Sequence, residues 1–219
     1  MNPSSRFVQR YAKTQCLIHW VGVITFFALL FSGIALIFAP LSWFAAGGVS
    51  KLIHRIAIVP FVVLPILYVI LIPRQARALI AESFTYTRDD WAWFKCMPAY
   101  FFGSTKNLPP QGRINAGQKI HHALTFVMFV SVSVSGFGLL FGKGRLGVEG
   151  LAFAAIAHDL SMLGLTVLLI GHLYFTLVYD ALSAMVRGVV SEEYARMEHP
   201  KWVAELPENA FIVARAREK

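Results

Sequence analysis

The residues of this chain that could do chemistry are histidines placed inside apolar stretches. His158 and His172 lie 14 residues apart in one long apolar run. On an α-helix that separation is about 21 Å along the axis, and the second ring returns to within about 40° of the first. Both imidazoles therefore face the same side of one helix, one near each end of a membrane-spanning segment. This geometry suits two stacked metal or haem sites.

Four apolar stretches can position these and other histidines. The 219-residue chain is 57% hydrophobic and 15% charged, which is typical of a small polytopic membrane protein. The pattern predicts an all-α fold, an integral membrane four-helix bundle forming a single membrane domain over residues 1–219. The first apolar run is too long for a signal peptide and is interpreted as a retained span. The predicted spans are about 16–38, 52–72, 120–141 and 151–179, with a loop at 73–119 and a tail at 180–219.

The basic residues give these helices an orientation. Sixteen of the 20 Lys and Arg residues precede the first span, lie between the second and third, or follow the fourth. The positive-inside rule then predicts that both termini, the 73–119 loop and the 180–219 tail are cytoplasmic. The net charge of +8 reflects topology on this interpretation. We expect lipid as a partner and no nucleic acid, and we assign no chemistry to Cys16 or Cys96.

Topology sorts four histidines into two pairs of equal depth. His19 and His172 lie toward the cytoplasm, whereas His54 and His158 lie toward the outer face. Two neutral imidazoles fill both axial positions of a haem iron and leave a low-spin centre that passes electrons. For any single histidine, a plain interhelical hydrogen bond is an equal alternative. Structural zinc is disfavoured, because no cysteine or carboxylate is expected at the right depth.

Small residues accompany the histidines. Gly33 lies 14 residues after His19, so it faces the same side at the depth of the outer pair. Gly136 lies toward the outer end of the third span. Glycine lets a porphyrin approach the backbone closely, but small residues in membrane helices also serve helix packing, and both interpretations stay open.

The segment before the third span is a second candidate site. Asn115 and Gln118 could donate hydrogen bonds to a quinone carbonyl, or could simply begin a helix. His121 and His122 open this span at the depth of the inner pair. They could compete as ligands or line a proton-accessible pocket, but the two pairs are complete without them. His199 lies in the polar tail and is expected to be solvated.

These residues resemble a known family, the four-helix, di-haem cytochrome b (gamma) subunits of respiratory membrane-bound formate dehydrogenases. The resemblance covers most of the chain and rests on an ordered set of short motifs. These are Arg10-Tyr11, Ile18-His19-Trp20, Ser32-Gly33, Leu52-Ile53-His54, Arg88-Asp89-Asp90, Gly112-Arg113, Asn115 with Gly117-Gln118-Lys119, His158, His172, and His199-Pro200-Lys201-Trp202.

The resemblance implies roles for individual residues. It implies two haem b groups, the outer bound by His54 and His158 and the inner by His19 and His172. It also implies a quinone pocket beside the inner haem, formed by Asn115, Gly117 and His172. His121-His122 departs from the family pattern, which puts the shape and proton supply of that pocket in doubt.

The resemblance also implies an activity and partners. The chain would carry electrons from a periplasmic iron-sulfur (beta) subunit across the bacterial inner membrane, and would reduce menaquinone or ubiquinone near the cytoplasm. Formate oxidation would belong to a separate molybdenum- or tungsten-containing catalytic (alpha) subunit. Three alternatives remain: the cytochrome b subunit of a nickel-iron hydrogenase, a non-redox membrane anchor or small transporter, and a stand-alone cytochrome b561-type quinol oxidase.

Overall fold

The computed structural model of the chain describes residues 6–179 and 181–213. Helices dominate these residues, and four of them are long and apolar enough to cross a membrane, as predicted. The helices are α1 (Lys13–Ile37), α2 (Ser42–Ala46), α3 (Val49–Leu71), α4 (Pro73–Phe84), α5 (Arg88–Phe101), α6 (Ala116–Phe141), α7 (Val148–Val178), α8 (Leu182–Arg187), α9 (Glu192–Glu198) and α10 (Pro200–Ala204), with 3-10 turns at Ala39–Leu41 and Glu208–Ala210.

The spanning helices are α1, α3, α6 and α7, and their apolar side chains are largely uncovered. Ile24 of α1, Val134 of α6 and Leu163 of α7 are 70%, 67% and 57% exposed. In water, so many exposed large apolar side chains would be strongly unfavourable, whereas lipid tails solvate them. The four predicted spans are therefore confirmed as candidate membrane helices, with ends shifted by only a few residues.

One compact unit, residues 13–78, is built on a helical hairpin. Hairpin 1, defined as α1 and α3 with α2 between them, packs its two long helices side by side. The Gln15 side chain of α1 donates to the Tyr68 hydroxyl of α3 at 3.1 Å. Toward the other end, the Ser50 hydroxyl donates to the carbonyl oxygen of Ser32 at 2.6 Å. Gly48 makes the turn before α3 with a φ of 75°, which only glycine adopts readily.

The other compact unit comprises residues 1–12 and 79–219, of which the structure describes the ranges given above. Its long helices α6 and α7 form hairpin 2 and pack closely. A Cβ at Gly164 of α7 would lie 2.8 Å from the Met128 sulfur of α6, so glycine permits this approach. The loop helix α5 packs against the start of α6 and the end of α7 through Trp93, Tyr100 and Tyr179.

A small antiparallel sheet, absent from the all-α prediction, joins the two ends of the chain within the second unit. The strands are β1 (Arg6–Gln9), β2 (Val189–Ser191) and β3 (Phe211–Val213), in the order β2-β1-β3. Phe7 pairs with Ser191 on one side and with Ile212 on the other. The predicted 180–219 tail is thus partly folded over its described residues, while residues 180 and 214–219 lie outside them.

Candidate functional site

In hairpin 1, a serine of α1 holds the ring of His54. Ser32 Oγ lies 3.0 Å from His54 Nδ1. The serine hydroxyl donates its own proton to the Ala28 carbonyl oxygen at 2.6 Å, so toward the imidazole it accepts. Gly33 adjoins the ring, since a Cβ at this position would lie 3.4 Å from His54 Cε1.

Hairpin 2 repeats the arrangement around His158. Its Nδ1 lies 3.0 Å from the Val132 carbonyl oxygen and 3.4 Å from Ser135 Oγ. Ser135 donates its proton to the Ser131 carbonyl oxygen at 2.6 Å, so both neighbours of the ring nitrogen accept. Gly136 approaches the ring even more closely, because a Cβ there would lie 3.1 Å from His158 Cε1.

These contacts favour the same tautomer for His54 and His158, with the proton on Nδ1. With the proton on Nδ1, a neutral imidazole carries its lone pair on Nε2, which is the nitrogen available to a metal. An interhelical hydrogen bond and iron ligation are therefore compatible, because each uses a different nitrogen. The glycine beside each ring removes a side chain that would crowd it. His54 and His158 could thus each hold a haem iron through Nε2.

The inner histidines have different surroundings. His172 of α7 lies beside His121 of α6, with ring centroids 5.6 Å apart. His121 Nε2 lies 3.1 Å from the Leu168 carbonyl oxygen, which can only accept, so this nitrogen carries the proton. Nδ1 of His122 is buried and has no hydrogen-bond partner among the described residues. His19 of α1 contacts the neighbouring Trp20 ring.

Each predicted ligand pair draws on both compact units. His19 and His54 belong to the unit of residues 13–78, whereas His158 and His172 belong to the other unit. The pairing of His54 with His158, and of His19 with His172, stays a prediction. The structure supports it one histidine at a time, through the geometry of each ring within its own hairpin.

Asn115 begins α6 and is almost fully buried. Its Oδ1 accepts from the Gln118 amide at 2.8 Å, and Gln118 Oε1 accepts from the Asn115 amide at 3.0 Å, which forms a capping box. Both residues therefore start the helix, as one of the two interpretations predicted. Asn115 Nδ2 donates to Glu198 Oε2 at 3.1 Å. Gly117 lies against Trp93, and a Cβ there would meet Trp93 Cη2 at 2.8 Å.

Glu198 is a buried carboxyl group that the sequence analysis missed. It is 1% exposed. Its Oε2 also accepts from the Tyr100 hydroxyl at 3.1 Å, while Oε1 has no hydrogen-bond partner in the part of the chain that the structure describes. Burial raises the pKa of Glu198 above its usual range, although the bonds from Tyr100 and Asn115 act in the opposite direction.

His199 is buried, so the prediction that it is solvated is wrong. Its exposed fraction is 0%. Nδ1 donates to the Gly112 carbonyl oxygen at 2.9 Å, and Arg10 Nη2 lies 3.5 Å from Nε2. Burial and the Arg10 charge lower the pKa of His199 to about 3, so it is neutral at physiological pH. Arg10 also lies over the Trp202 ring at 4.5 Å. We call Arg10, Tyr100, Asn115, Glu198 and His199 the polar cluster.

Lys119 forms a buried ion pair next to the polar cluster. Its Nζ lies 2.7 Å from Asp90 Oδ2 and donates to the Thr85 carbonyl oxygen at 3.1 Å. Burial acts to raise the pKa of Asp90, but hydrogen bonds from Lys119 and Thr87 outweigh it and hold that pKa below its usual range. The loop is therefore fastened to the start of α6 by charge as well as by packing.

Sequence reasoning missed several residues that shape these sites. Ser32 belongs to a motif named above, but no contact of Ser32 or Ser135 with a histidine is predicted from the sequence, and the repeated Ser-Gly pair is the available signal. Glu198 directly precedes the His-Pro-Lys-Trp motif, but acidic residues in a polar tail are usually solvated. Trp93 had no signal of its own.

Comparison with known proteins identifies the family of this chain. Residues 10–188 match the family described as prokaryotic cytochrome b561. The chain belongs to this cytochrome family. Membership agrees with the four apolar helices and identifies a membrane protein. A cytochrome b carries haem b, so the histidines described above stand in a chain whose family implies this cofactor and electron transport.

Relatives of this cytochrome are found among enzyme subunits. The cytochrome b556(fdo) subunit of formate dehydrogenase from Escherichia coli K12 is 25% identical over 208 residues, covering 91% of this chain and 93% of the relative. The nitrate-inducible cytochrome b556(Fdn) subunit from the same strain is 24% identical over 196 residues, or 86% of each chain. The cytochrome b556 subunit of formate dehydrogenase from Haemophilus influenzae is 24% identical over 190 residues, covering 85% and 78%.

Proposed function

We propose that this protein is the di-haem cytochrome b subunit of a respiratory formate dehydrogenase. It takes electrons from a periplasmic iron-sulfur subunit and reduces a quinone near the cytoplasmic side. A separate molybdenum- or tungsten-containing subunit oxidises formate. The observation that carries the proposal is the Nδ1 geometry of His54 and His158, which occurs twice, once in each hairpin.

The geometry within each hairpin and the predicted depths of the histidines support a set of haem ligands. His54 and His158 bind the outer haem iron, and His19 and His172 bind the inner one. Haem b supplies a low-spin iron that passes single electrons. The Ser32 hydroxyl and the Val132 carbonyl orient the outer rings and keep their lone pairs on Nε2.

Two further contacts support the ligand assignment. Gly33 and Gly136 lie against the outer rings, which is consistent with their proposed role in haem packing. His121 lies against His172 and donates to a backbone carbonyl, so it acts as a neighbour of the inner ligand.

The quinone site lies at the start of α6, with Asn115, Gly117 and His172 as its residues. Trp93 supports this location, because its indole N–H is buried and has no hydrogen-bond partner among the described residues. Such a donor is costly in apolar surroundings unless a ligand or water accepts from it. Glu198 Oε1, in the same neighbourhood, is a second buried polar atom without a hydrogen-bond partner among the described residues. A quinone carbonyl is an acceptor of the kind that Trp93 needs.

The distribution of charge supports the proposed orientation and location. The excess of Lys and Arg before α1, between α3 and α6 and after α7 supports cytoplasmic termini in the bacterial inner membrane. Electrons then cross the membrane inward, and protons for quinol come from the cytoplasm. Menaquinone and ubiquinone both fit this chemistry.

The test uses the intact complex purified from membranes. We expect about two haem b per chain, co-purifying iron-sulfur and molybdenum or tungsten subunits, haem reduction by formate, and reoxidation on addition of quinone. Reduction by hydrogen and not by formate would assign the chain to a hydrogenase. Absence of haem would contradict the proposal and favour a membrane anchor. In oriented vesicles, proton uptake from the outer compartment would contradict the inward direction.

A further inference from the structure

Glu198 ends helix α9 and stands between the tail and the start of α6. It is 1% exposed, yet it is hydrogen-bonded by side chains of two other segments, Tyr100 from α5 and Asn115 from the α6 cap. A carboxyl group buried to this extent is rare, because an unpaired negative charge is costly away from water. No Lys, Arg or His lies within 4.0 Å of the Glu198 carboxyl in the described ranges, so its charge is not neutralised by an ion pair.

The two carboxyl oxygens of Glu198 differ in their surroundings. Oε2 accepts from both Tyr100 and Asn115, at 3.1 Å each. Oε1 is buried and has no partner within residues 6–179 and 181–213. In a neutral acid the proton therefore belongs on Oε1, because Oε2 is already occupied as an acceptor. The acid presents an O–H group to a position that no described protein atom fills as acceptor.

Burial favours the neutral form of Glu198, and the titratable groups described around it place no positive charge within 4.0 Å of its carboxyl. Burial raises the pKa of Tyr179 to about 12, with the Glu198 charge as the next cause, and raises the pKa of Tyr100 and Tyr194 above the usual tyrosine range in the same way. All three are thus neutral. His199 is neutral because burial lowers its pKa to about 3. Arg10 is cationic, and its described contacts are with Arg113, His199, Tyr11 and Trp202.

The neighbourhood of Glu198 is also that of the proposed quinone site. Asn115 connects Glu198 to the proposed quinone site, because its Nδ2 donates to Glu198 and Gly117 lies two residues after it. Gly117 packs on Trp93, and the Trp93 ring lies 4.9 Å from the Tyr100 ring. Trp93 offers an unused N–H donor, and Glu198 holds an unused oxygen. One donor and one acid are what a quinone carbonyl needs when it is reduced.

We propose that Glu198 is the proton donor of the quinone site. The inference rests on the proposed function. In the step, the Oε1–H bond of Glu198 breaks and an O–H bond forms on one quinone oxygen. Both electrons arrive through the haem path, the other quinone oxygen takes its proton from water, and Glu198 is reprotonated from the cytoplasm. The overall reaction adds two electrons and two protons to the quinone.

The test compares Glu198→Gln with Glu193→Gln in the purified complex. In the first variant, the amide oxygen of the introduced glutamine can accept from Tyr100 and Asn115, so the fold is retained while the transferable proton is lost. Glu193 is exposed on the same helix and is the matched control. We expect Glu198→Gln to lower the rate of haem reoxidation by added quinone about 100-fold, within the range for loss of a general acid, while haem content and haem reduction by formate stay unchanged. Glu193→Gln should match the wild type.

A spectroscopic measurement tests the proton itself. Infrared spectra of the wild-type complex at neutral pH should contain the C=O stretch of a protonated carboxylic acid, which is lost in Glu198→Gln and kept in Glu193→Gln. Glu198→Asp keeps an acid with a shorter reach and should retain part of the rate. A wild-type rate in Glu198→Gln, or no protonated band, overturns the inference alone. A wild-type complex that contains haem but does not pass electrons to quinone overturns the proposed function as well.

Discussion

The two hairpins orient their outer histidines in the same way but with different acceptors. In hairpin 1, a side chain accepts from the ring, because Ser32 Oγ lies 3.0 Å from His54 Nδ1. In hairpin 2, a backbone carbonyl lies at that distance, from Val132 to His158, and the serine is farther away at 3.4 Å. The same tautomer is thus stabilised by two kinds of acceptor. A mutation can remove the serine side chain in hairpin 1, whereas it leaves the backbone carbonyl in hairpin 2 in place.

The hairpins differ again at their polar ends. Hairpin 2 belongs to the unit that contains the polar cluster, and its helix α6 is capped by Asn115, which bonds to Glu198. Hairpin 1 starts at α1 in a unit of its own. On the proposed function, the comparison separates two tasks: both hairpins would hold an electron-carrying group, whereas the proposed proton donor lies beside hairpin 2.

The largest effect should come from removing the outer ligands. We expect His54→Ala and His158→Ala each to lower the haem content from about two to about one per chain, since an axial ligand is lost in either hairpin. Haem assayed by the pyridine method against protein mass measures this. His122→Ala is the control and should keep both haems. Full haem content in either variant would show that the corresponding hairpin does not supply a haem ligand at that position.

The next effect should distinguish the hairpins by space. Gly136→Ala places a Cβ 3.1 Å from the His158 ring, tighter than ordinary contact, whereas Gly33→Ala places one at 3.4 Å from His54. We expect overpacking in hairpin 2 of about 1–3 kcal/mol and little change in hairpin 1. The measurement is haem loss during heating. Gly22→Ala, whose Cβ meets nothing within 4 Å, is the control. Equal haem loss from the Gly33 and Gly136 variants would contradict this difference.

Acid should loosen the tail in the unit of hairpin 2, because His199 is buried there in its neutral form. The pKa of His199 is lowered from 6.5 to about 3, so the unfolded tail binds the proton more readily. The contribution of His199 to stability is complete above pH 6.5 and falls by about 1.4 kcal/mol per pH unit as the pH drops toward 3. Glu198 has a raised pKa, so it costs stability as the pH rises above its ordinary value of 4.5, which opposes the His199 effect between pH 4.5 and 6.5.

Hydrogen exchange of the tail, corrected for the intrinsic pH effect, measures this loosening. In Glu198→Gln, where the opposing effect is absent, amides of α9 and α10 should lose protection between pH 6.5 and 4, while amides of α3 keep theirs. His199→Gln should remove most of the pH dependence. Equal loss of protection in both units would show that the acid response is global and not seated at His199.

The spans were predictable because their signal is local. Each long apolar run has the composition that a lipid environment requires, so the four helices are predictable without tertiary information. The start of α6 was placed at Ile120, four residues late, because the capping box of Asn115 and Gln118 extends the helix into polar sequence. Depth pairing of the histidines rests on the same local signal together with the distribution of Lys and Arg.

The polar cluster and the sheet were not predictable in this way. His199 and Glu198 are buried because the tail docks on the loop and on Arg10, and local polarity does not encode that contact. β1 and β3 are 4 and 3 residues long and lie about 200 positions apart, too short for a periodic pattern. The contacts of Ser32 and Ser135 were not predictable, because each depends on a histidine of the neighbouring helix.

The smallest effect is the sharpest test of the comparison. Ser32→Ala removes the acceptor 3.0 Å from His54, whereas Ser135→Ala leaves the Val132 carbonyl at 3.0 Å from His158. Because a hydrogen bond to the ligand's second nitrogen raises its basicity, we expect Ser32→Ala to shift the midpoint potential of the outer haem and Ser135→Ala to shift it much less. Redox titration measures both variants. Ser161→Ala is the control, since its hydroxyl bonds to Ala157 and Ser131 and not to a histidine. Equal shifts from the Ser32 and Ser135 variants would mean that the serines act alike, and that the backbone carbonyl does not protect hairpin 2.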